Sequence, residues 1–358
     1  MLALNLHSDL APEKILVRAT NWVGDAVMSL PAVRALRKRY PASHIAVLAK
    51  PWVADLYTRE SSIDELISYP AARGVKDAAG KWRVARRIAR ERFDCAVLLP
   101  NAFEAALVAW LARIPRRIGY SRDARGFLLT DAVAVPKQGE IPPHQRYYYL
   151  ELLRRAGVLA SLPSVPSIEL EGAAQAREAG VLRFREFEMP ERVIGVSPGA
   201  AYGSAKRWLP ERFAEAAARL ASGGHSGVAV FGSVGERALC ETVAAAVRSH
   251  GAQALNLAGK TSLGQFIELA AACSLYLTND SGAMHIASAL GVPTVAIFGP
   301  TDSIATGPTG PATVVVRESV SCSPCLLREC PIDHRCMTQV TVDRVVRAAL
   351  ELDAHVFK

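Results

Sequence analysis

The chain has 358 residues, of which 50% are hydrophobic and 21% charged, an ordinary globular composition in a length greater than one core usually supports. Its start carries no charged-then-apolar signal pattern, and its longest uncharged stretch, SGAMHIASALGVPTVAIFGPT, is broken at Gly291-Val292-Pro293 into a short helix and a strand. A secreted or membrane-spanning protein is thereby disfavoured, and a soluble, cytoplasmic one is expected. The net charge of +8 is uneven: residues 1–170 hold 25 Lys and Arg against 16 Asp and Glu, while residues 171–358 hold 17 against 18.

The first half alternates strand and helix patterns. Strands are predicted at KILVRA, HIAVLAK, ELISYP, CAVLLP and RRIGY, with helices over KWRVARRIARERF, NAFEAALVAWLAR and HQRYYYLELLRRAGV. After the first strand the turn NWVGD leads into a helix-period run at Val27, Leu30, Val33 and Leu36. Asp25 therefore sits where a strand hands over to a helix. Two readings apply: an N-cap, because Asp accepts orphan N–H groups there, or a general base at the carboxyl edge of a parallel sheet. The clusters RALRKRY, KWRVARRIARERF and RIPRRIGYSRDARG make this half basic. They are either solvated helix faces or a surface for an anionic partner.

The proline-rich stretch ASLPSVPSIELEG reads as a linker, and strands restart at RVIGVSPG, GVAVFG, ALNLAG, SLYLTND and PTVAIFG. Alternating βα units in tandem imply two Rossmann-like α/β domains, each with a parallel sheet, and a cleft between them. The expected boundaries are 1–165 and 174–340, with a last helix over 341–358. In LTNDSGAMHIASALG a strand meets Asp280-Ser281-Gly282 and then a helix. Gly282 permits close backbone approach, and the helix start points N–H groups at an anion, as in a diphosphate cradle. Asp280 could equally be a cap and His285 a satisfied helix histidine. The loop SPGAAYGSAKRW, which includes Gly199, ends in Lys206, a residue type that can neutralise phosphate. Glu236 lies just beyond a strand, where an acidic side chain can hold ribose hydroxyls. The dinucleotide fingerprint G-x-G-x-x-G is absent, which argues against an NAD dehydrogenase.

Four of the seven cysteines, Cys322, Cys325, Cys330 and Cys336, crowd into SCSPCLLRECPIDHRCM beside His334. Three states remain open for them: a structural metal site, reduced thiols folded into a loop, or a disulfide.

The segments NWVGDAVMSLPAVRAL, SPGAAYGSAKRW, FGSVGE and TNDSGAMHIASALGVPTVAIFGPTD together resemble the ADP-heptose:lipopolysaccharide heptosyltransferases of glycosyltransferase family 9. Within them, W-V-G-D and P-G-A-x-x-G-x-A-K-R-W are most similar to the heptosyltransferase II branch. The resemblance implies the GT-B fold, two Rossmann-like domains whose parallel sheets face across a central cleft. The N-terminal domain would bind the acceptor and the C-terminal domain the sugar nucleotide, with the last helix packing back on the N-terminal domain. It also implies roles: Asp25 as the base, with Trp22 and Gly24 in its turn on the acceptor side, and Lys206 on the donor phosphates. Glu236 would hold the adenosine ribose, and Asp280, Ser281, Gly282 and His285 the diphosphate and donor sugar. The implied reaction is inverting transfer of L-glycero-D-manno-heptose from its ADP-β form to the first heptose of the lipopolysaccharide inner core. The acceptor would be heptosyl-Kdo2-lipid A, met by peripheral contact with the anionic inner membrane of a Gram-negative cell. No Asp-x-Asp pair occurs, so neither a metal anchor nor a cofactor is expected. The alternatives are heptosyltransferase I or III, a GT-B nucleotide-sugar epimerase, and a nucleic-acid binder. The last lacks an aromatic-interleaved basic stretch, and no nucleic-acid partner is expected.

Overall fold

The computed structural model describes residues 11–68, 75–222 and 226–356. It divides into two compact units, Met1–Ser164 and Val165–Lys358, the division falling inside the proline-rich stretch. Beyond that point Leu170 N–H bonds Ala289 O at 2.7 Å and Ile168 N–H bonds Thr309 Oγ1 at 3.1 Å, tying the end of the stretch to the second unit.

The first unit contains β1 Lys14–Arg18, β2 His44–Ala49, β3 Glu65–Ser68, β4 Cys95–Leu98, β5 Arg116–Tyr120 and β6 Asp131–Val133. Their order in the sheet is β3-β2-β1-β4-β5-β6. All neighbours are parallel, with Ile15 aligned between Ile45 and Cys95. The second unit repeats the plan with β7 Arg192–Ser197, β8 Ser226–Val230, β9 Ala254–Asn256, β10 Leu275–Asn279, β11 Thr294–Phe298 and β12 Thr313–Arg317. Its order is β12-β11-β10-β7-β8-β9, the same sequence of neighbours as in the first sheet. The central strands β4, β10 and β11 are buried along their whole length because helices cover both faces of such sheets.

The predicted strands all form. Tyr69 and Pro70, the end of ELISYP, lie outside the described residues. Sequence reading missed β6 and β12, the sixth strand of each sheet and an edge in both cases. β6 has only 3 residues and starts on Asp131, and β12 is half-exposed along most of its length. Neither shows the continuous burial of an inner strand. Among the described residues no helix is long and apolar enough to cross a membrane.

The expectation for the last helix is corrected. Val342–Val356 seats Val345, Val346, Ala348 and Ala349 in the second unit's own core, beside Trp208, Phe213 and Val316. The cause is that its apolar stripe fits the groove between β12 and helix Pro210–Ala221, where Arg219 also pairs with Asp343 at 2.7 Å.

Helix Ala173–Glu186 lies very close to helix Leu263–Ala271. A Cβ on Gly180 would stand 2.0 Å from the backbone O of Glu268, and Arg183 Nε clamps Glu268 Oε2 at 2.7 Å. Alanine in place of glycine favours a helix by about 1 kcal/mol, whereas overpacking a fitted contact costs about 1–3 kcal/mol. The contact is with rigid backbone, so the second effect wins. Gly180→Ala should lower the stability of the second unit by roughly 1–2 kcal/mol in urea unfolding; an unchanged or higher midpoint would contradict this packing.

Candidate active site

In each sheet the chain leaves the first strand towards one side and later returns to pair on its other side. The strand order therefore reverses between β1 and β4, and between β7 and β10. Loops diverge there and leave the carboxyl edge open, which is where α/β sheets bind ligands.

In the second unit the predicted residues gather at this reversal. The loop after β7 carries Gly199 and, on a single 3-10 turn, Lys206; Asp280 directly follows β10. Lys206 Nζ meets Asp280 Oδ2 at 2.6 Å, and Thr301 Oγ1 donates to the same oxygen at 2.6 Å. The Tyr202 ring covers the ammonium at 4.9 Å. Asn279 fastens the loop from inside: its Nδ2 donates to Pro198 O at 2.8 Å and its Oδ1 accepts from Trp208 N–H at 2.9 Å. Asp280 is not a cap. Ser281 holds the N-cap position of helix Gly282–Ala289, and its hydroxyl pairs with Thr278 Oγ1 at 3.2 Å rather than with the helix amides. The amides at that start are thus available to a ligand. His285 is buried within the same helix.

Glu236 ends a short turn after β8. Its Oε2 accepts from the amide and the hydroxyl of Ser233, each at 2.8 Å. Its other oxygen faces the first loop, since a Cβ on Gly199 would lie 2.1 Å from Glu236 Oε1. Gly199 is required by this approach of a carboxylate to the backbone, and Glu236 is thereby placed beside the loop of Lys206.

In the first unit Asp25 does not hold the N-cap position. Trp22 is the N-cap of helix Val23–Arg39, with extended backbone and no side-chain cap bond, and Asp25 lies within the first turn together with Gly24. Tyr149 Oη, from helix Gln145–Arg155, donates to Asp25 Oδ1 at 3.0 Å. Burial, reinforced by the nearby Asp25 carboxylate, holds the Tyr149 phenol far above its usual range, so it remains a donor at neutral pH. The neighbouring Tyr148 is also anchored. Its Oη accepts from Asn101 Nδ2 at 2.9 Å, just beyond β4. Arg125 is fully buried there and gives its guanidinium to Tyr120 O at 3.0 Å, to Ala102 O at 3.3 Å and to Pro100 O. Burial pushes its pKa down to about 10.

The cysteine segment closes against the Lys206 loop. Ala205 N–H bonds Arg328 O at 3.0 Å, His334 Nε2 meets Ala205 O at 2.7 Å and Tyr202 Oη donates to Leu326 O at 2.8 Å. All seven cysteines are free thiols, Cys325 exposed and Cys336 buried. Burial, with the other three thiols of the segment adding to it, pushes Cys336 up to about 11. Among the described residues no group of three or more His, Cys, Asp or Glu is arranged to hold a metal ion.

Sequence reading missed Tyr149, Asn279, Thr301 and Tyr202. Asn279, Thr301 and Tyr202 stand inside motifs it quoted, so their signal was present. Tyr149 lies 124 residues from Asp25, in a Tyr-Tyr-Tyr run that reads only as helix, and carried none.

The sequence model of glycosyltransferase family 9 (heptosyltransferase) matches residues 81–335. Lipopolysaccharide heptosyltransferase 2 of Salmonella typhimurium is 36% identical over 85% of this chain and 88% of its own. The structure of the Escherichia coli ADP-heptose lps heptosyltransferase II superposes with a TM-score of 0.81 at 31% identity, covering 96% of this chain and 100% of that one. A family 9 glycosyl transferase from Veillonella parvula shares the fold, with a TM-score of 0.79 at 24% identity over 96% and 97% of the two chains. With matches that run through both sheets and take in every site segment of the second unit, the chain belongs to glycosyltransferase family 9, the heptosyltransferases.

Proposed function

We propose that this enzyme is a heptosyltransferase of type II. It moves L-glycero-D-manno-heptose from ADP-L-glycero-β-D-manno-heptose to the first heptose of heptosyl-Kdo2-lipid A, inverting the anomeric centre in one displacement. The first unit binds the acceptor and the second the donor. The observation that carries the catalytic assignment is the Asp25 carboxylate, placed at the strand-order reversal of the first sheet and held by the Tyr149 hydroxyl. A carboxylate in that position can act as a general base, taking the proton as the acceptor hydroxyl attacks.

Negative charge then gathers on the departing ADP. Lys206 and the amides at the start of helix Gly282–Ala289 are the fixed positive groups for it. Asp280 holds the ammonium in position through one of its three donor directions and leaves the others to the diphosphate. Glu236, with Gly199 behind it, is the acceptor for ribose hydroxyls. His285 and Ser281 complete the donor-sugar side. Trp22 and Gly24 shape the turn on the acceptor side. The enzyme works in the cytoplasm, in peripheral contact with the anionic face of the inner membrane, where its acceptor resides.

The test is mass spectrometry of product made from ADP-heptose and a defined Kdo2-lipid A bearing one heptose, with ADP release followed in parallel. One added heptose is expected. Transfer only to the acceptor lacking heptose would reassign the enzyme to type I.

Three variants separate the roles. Asp25→Asn keeps the shape of the side chain but cannot take a proton, so kcat should fall by about 10²–10⁴ while ADP affinity barely moves. Near-normal turnover at saturating substrates would remove Asp25 from the chemistry. Lys206→Ala should weaken ADP binding by about 10–100-fold in calorimetry, the usual worth of a charge-assisted hydrogen bond. Unaltered ADP affinity would exclude Lys206 from the phosphates.

Tyr149→Phe removes a donor to the ionised form of Asp25. A hydrogen bond to a carboxylate favours its charged state, so losing it favours protonation. Because the base acts only when ionised, the acid limb of the kcat profile should move to higher pH, with the acceptor KM little changed. A profile identical to that of the native enzyme would make the contact merely structural.

A further inference from the structure

Four of the five tryptophans belong to the first unit, and all four are about half exposed, whereas Trp208 of the second unit is fully buried. Trp22 and Trp52 flank the Asp25 turn, Trp52 Nε1 donating to Asn21 O at 2.8 Å. The others are remote from it in the chain. On helix Phe103–Leu111, Phe103 is 41% and Trp110 49% exposed, seven residues apart and so on one face. Phe127, 76% exposed, sets its ring 6.1 Å from that of Phe103. The neighbouring helix Val75–Glu91 is joined to this one by Lys81 and Glu104 at 3.6 Å. Its solvent face carries Trp82, 53% exposed, with Arg83, Arg86 and Arg90 at three- and four-residue spacings. Arg87 is committed to Glu65 at 3.3 Å, but among the described residues no carboxylate pairs with Arg83, Arg86 or Arg90.

We infer that this face, made by the outer sides of helices Val75–Glu91 and Phe103–Leu111 with Phe127, docks on the surface of an anionic phospholipid bilayer. Grouped exposed aromatics mark a surface that is covered in use. Indole and phenyl rings settle at the headgroup boundary, and unpaired arginines beside them meet lipid phosphates. A nucleic acid would satisfy the arginines and leave Phe103, Trp110 and Phe127 in water. The inference rests on the membrane contact in the proposed function and assigns it to named residues outside the transfer site.

The experiment uses the full chain, without donor or acceptor, sedimented with phosphatidylcholine vesicles that contain or lack a quarter of phosphatidylglycerol. Binding to the anionic vesicles alone is expected, weakening as salt is raised. Arg83→Gln/Arg86→Gln/Arg90→Gln should reduce the partition constant by about 100-fold, given the usual share of each basic residue near an anionic surface. Phe127→Ser, at an exposed site where folding is not at risk, should reduce it by about tenfold. Both variants should transfer heptose to a short, lipid-free acceptor as the native enzyme does. Equal binding to neutral vesicles, no vesicle binding, or variants that bind like the native chain would overturn the inference. So would duplex DNA that binds the face in place of vesicles. Absence of transfer by the native enzyme, with vesicle binding intact, would instead refute the proposed reaction and leave the docking face standing.

Discussion

A parallel sheet built with right-handed crossovers can open its carboxyl edge only where the chain changes direction, and both sheets of this protein do so beside their first strand. Within each sheet that constraint puts the named residues at the same kind of strand end. Asp25 follows β1; the Gly199–Lys206 loop follows β7, and Asp280 follows β10. At any other strand end, the adjoining connection would cover the edge with its own helix. Two copies of one arrangement give the enzyme two open edges of the same kind. The side chains placed there differ: Asp25 with Tyr149 in the first, Lys206 with Asp280 and Glu236 in the second.

The groups at these edges are held by polar contacts that stabilise the fold little and fix geometry well. Taking Lys206 and Asp280 out of water opposes their attraction, so such a pair adds little net stability. With Thr301 on the same oxygen and Asn279 bonded across the loop, however, the ammonium has one position. Arg125 acts in the same way in the first unit. Its buried charge is met by carbonyls rather than a carboxylate, and it locks the segment after β4 to the turn after β5. The cysteine segment braces the Lys206 loop through its backbone and His334.

The two units spend their aromatic and basic residues differently. The first carries the surplus of Arg and Lys and keeps its tryptophans at the surface, whereas the second buries its single tryptophan under the last helix, with Trp208 Nε1 bonded to Val340 O at 3.0 Å. This asymmetry accords with the docking face inferred for the first unit.

Much of this was written locally in the sequence. Alternating apolar runs and helical periods reveal two tandem parallel-sheet units, because burial on both faces demands continuous hydrophobic strands. The turns NWVGD and TNDSG mark strand-to-helix junctions by their glycines and carboxylates. Only the tertiary structure decided the rest. The three-residue edge strand β6 forms because a neighbour offers a ladder, whereas β12, TVVVR, carries a β-branched run of its own that sequence reading passed over. The last helix seats on the unit whose groove fits its stripe, which periodicity alone cannot specify. Asp25 and Tyr149 are separated by 124 residues, and Lys206 and Asp280 by 74. A local pattern reports how a segment bends and which face it buries; which side chains then meet is set by closure of the sheets.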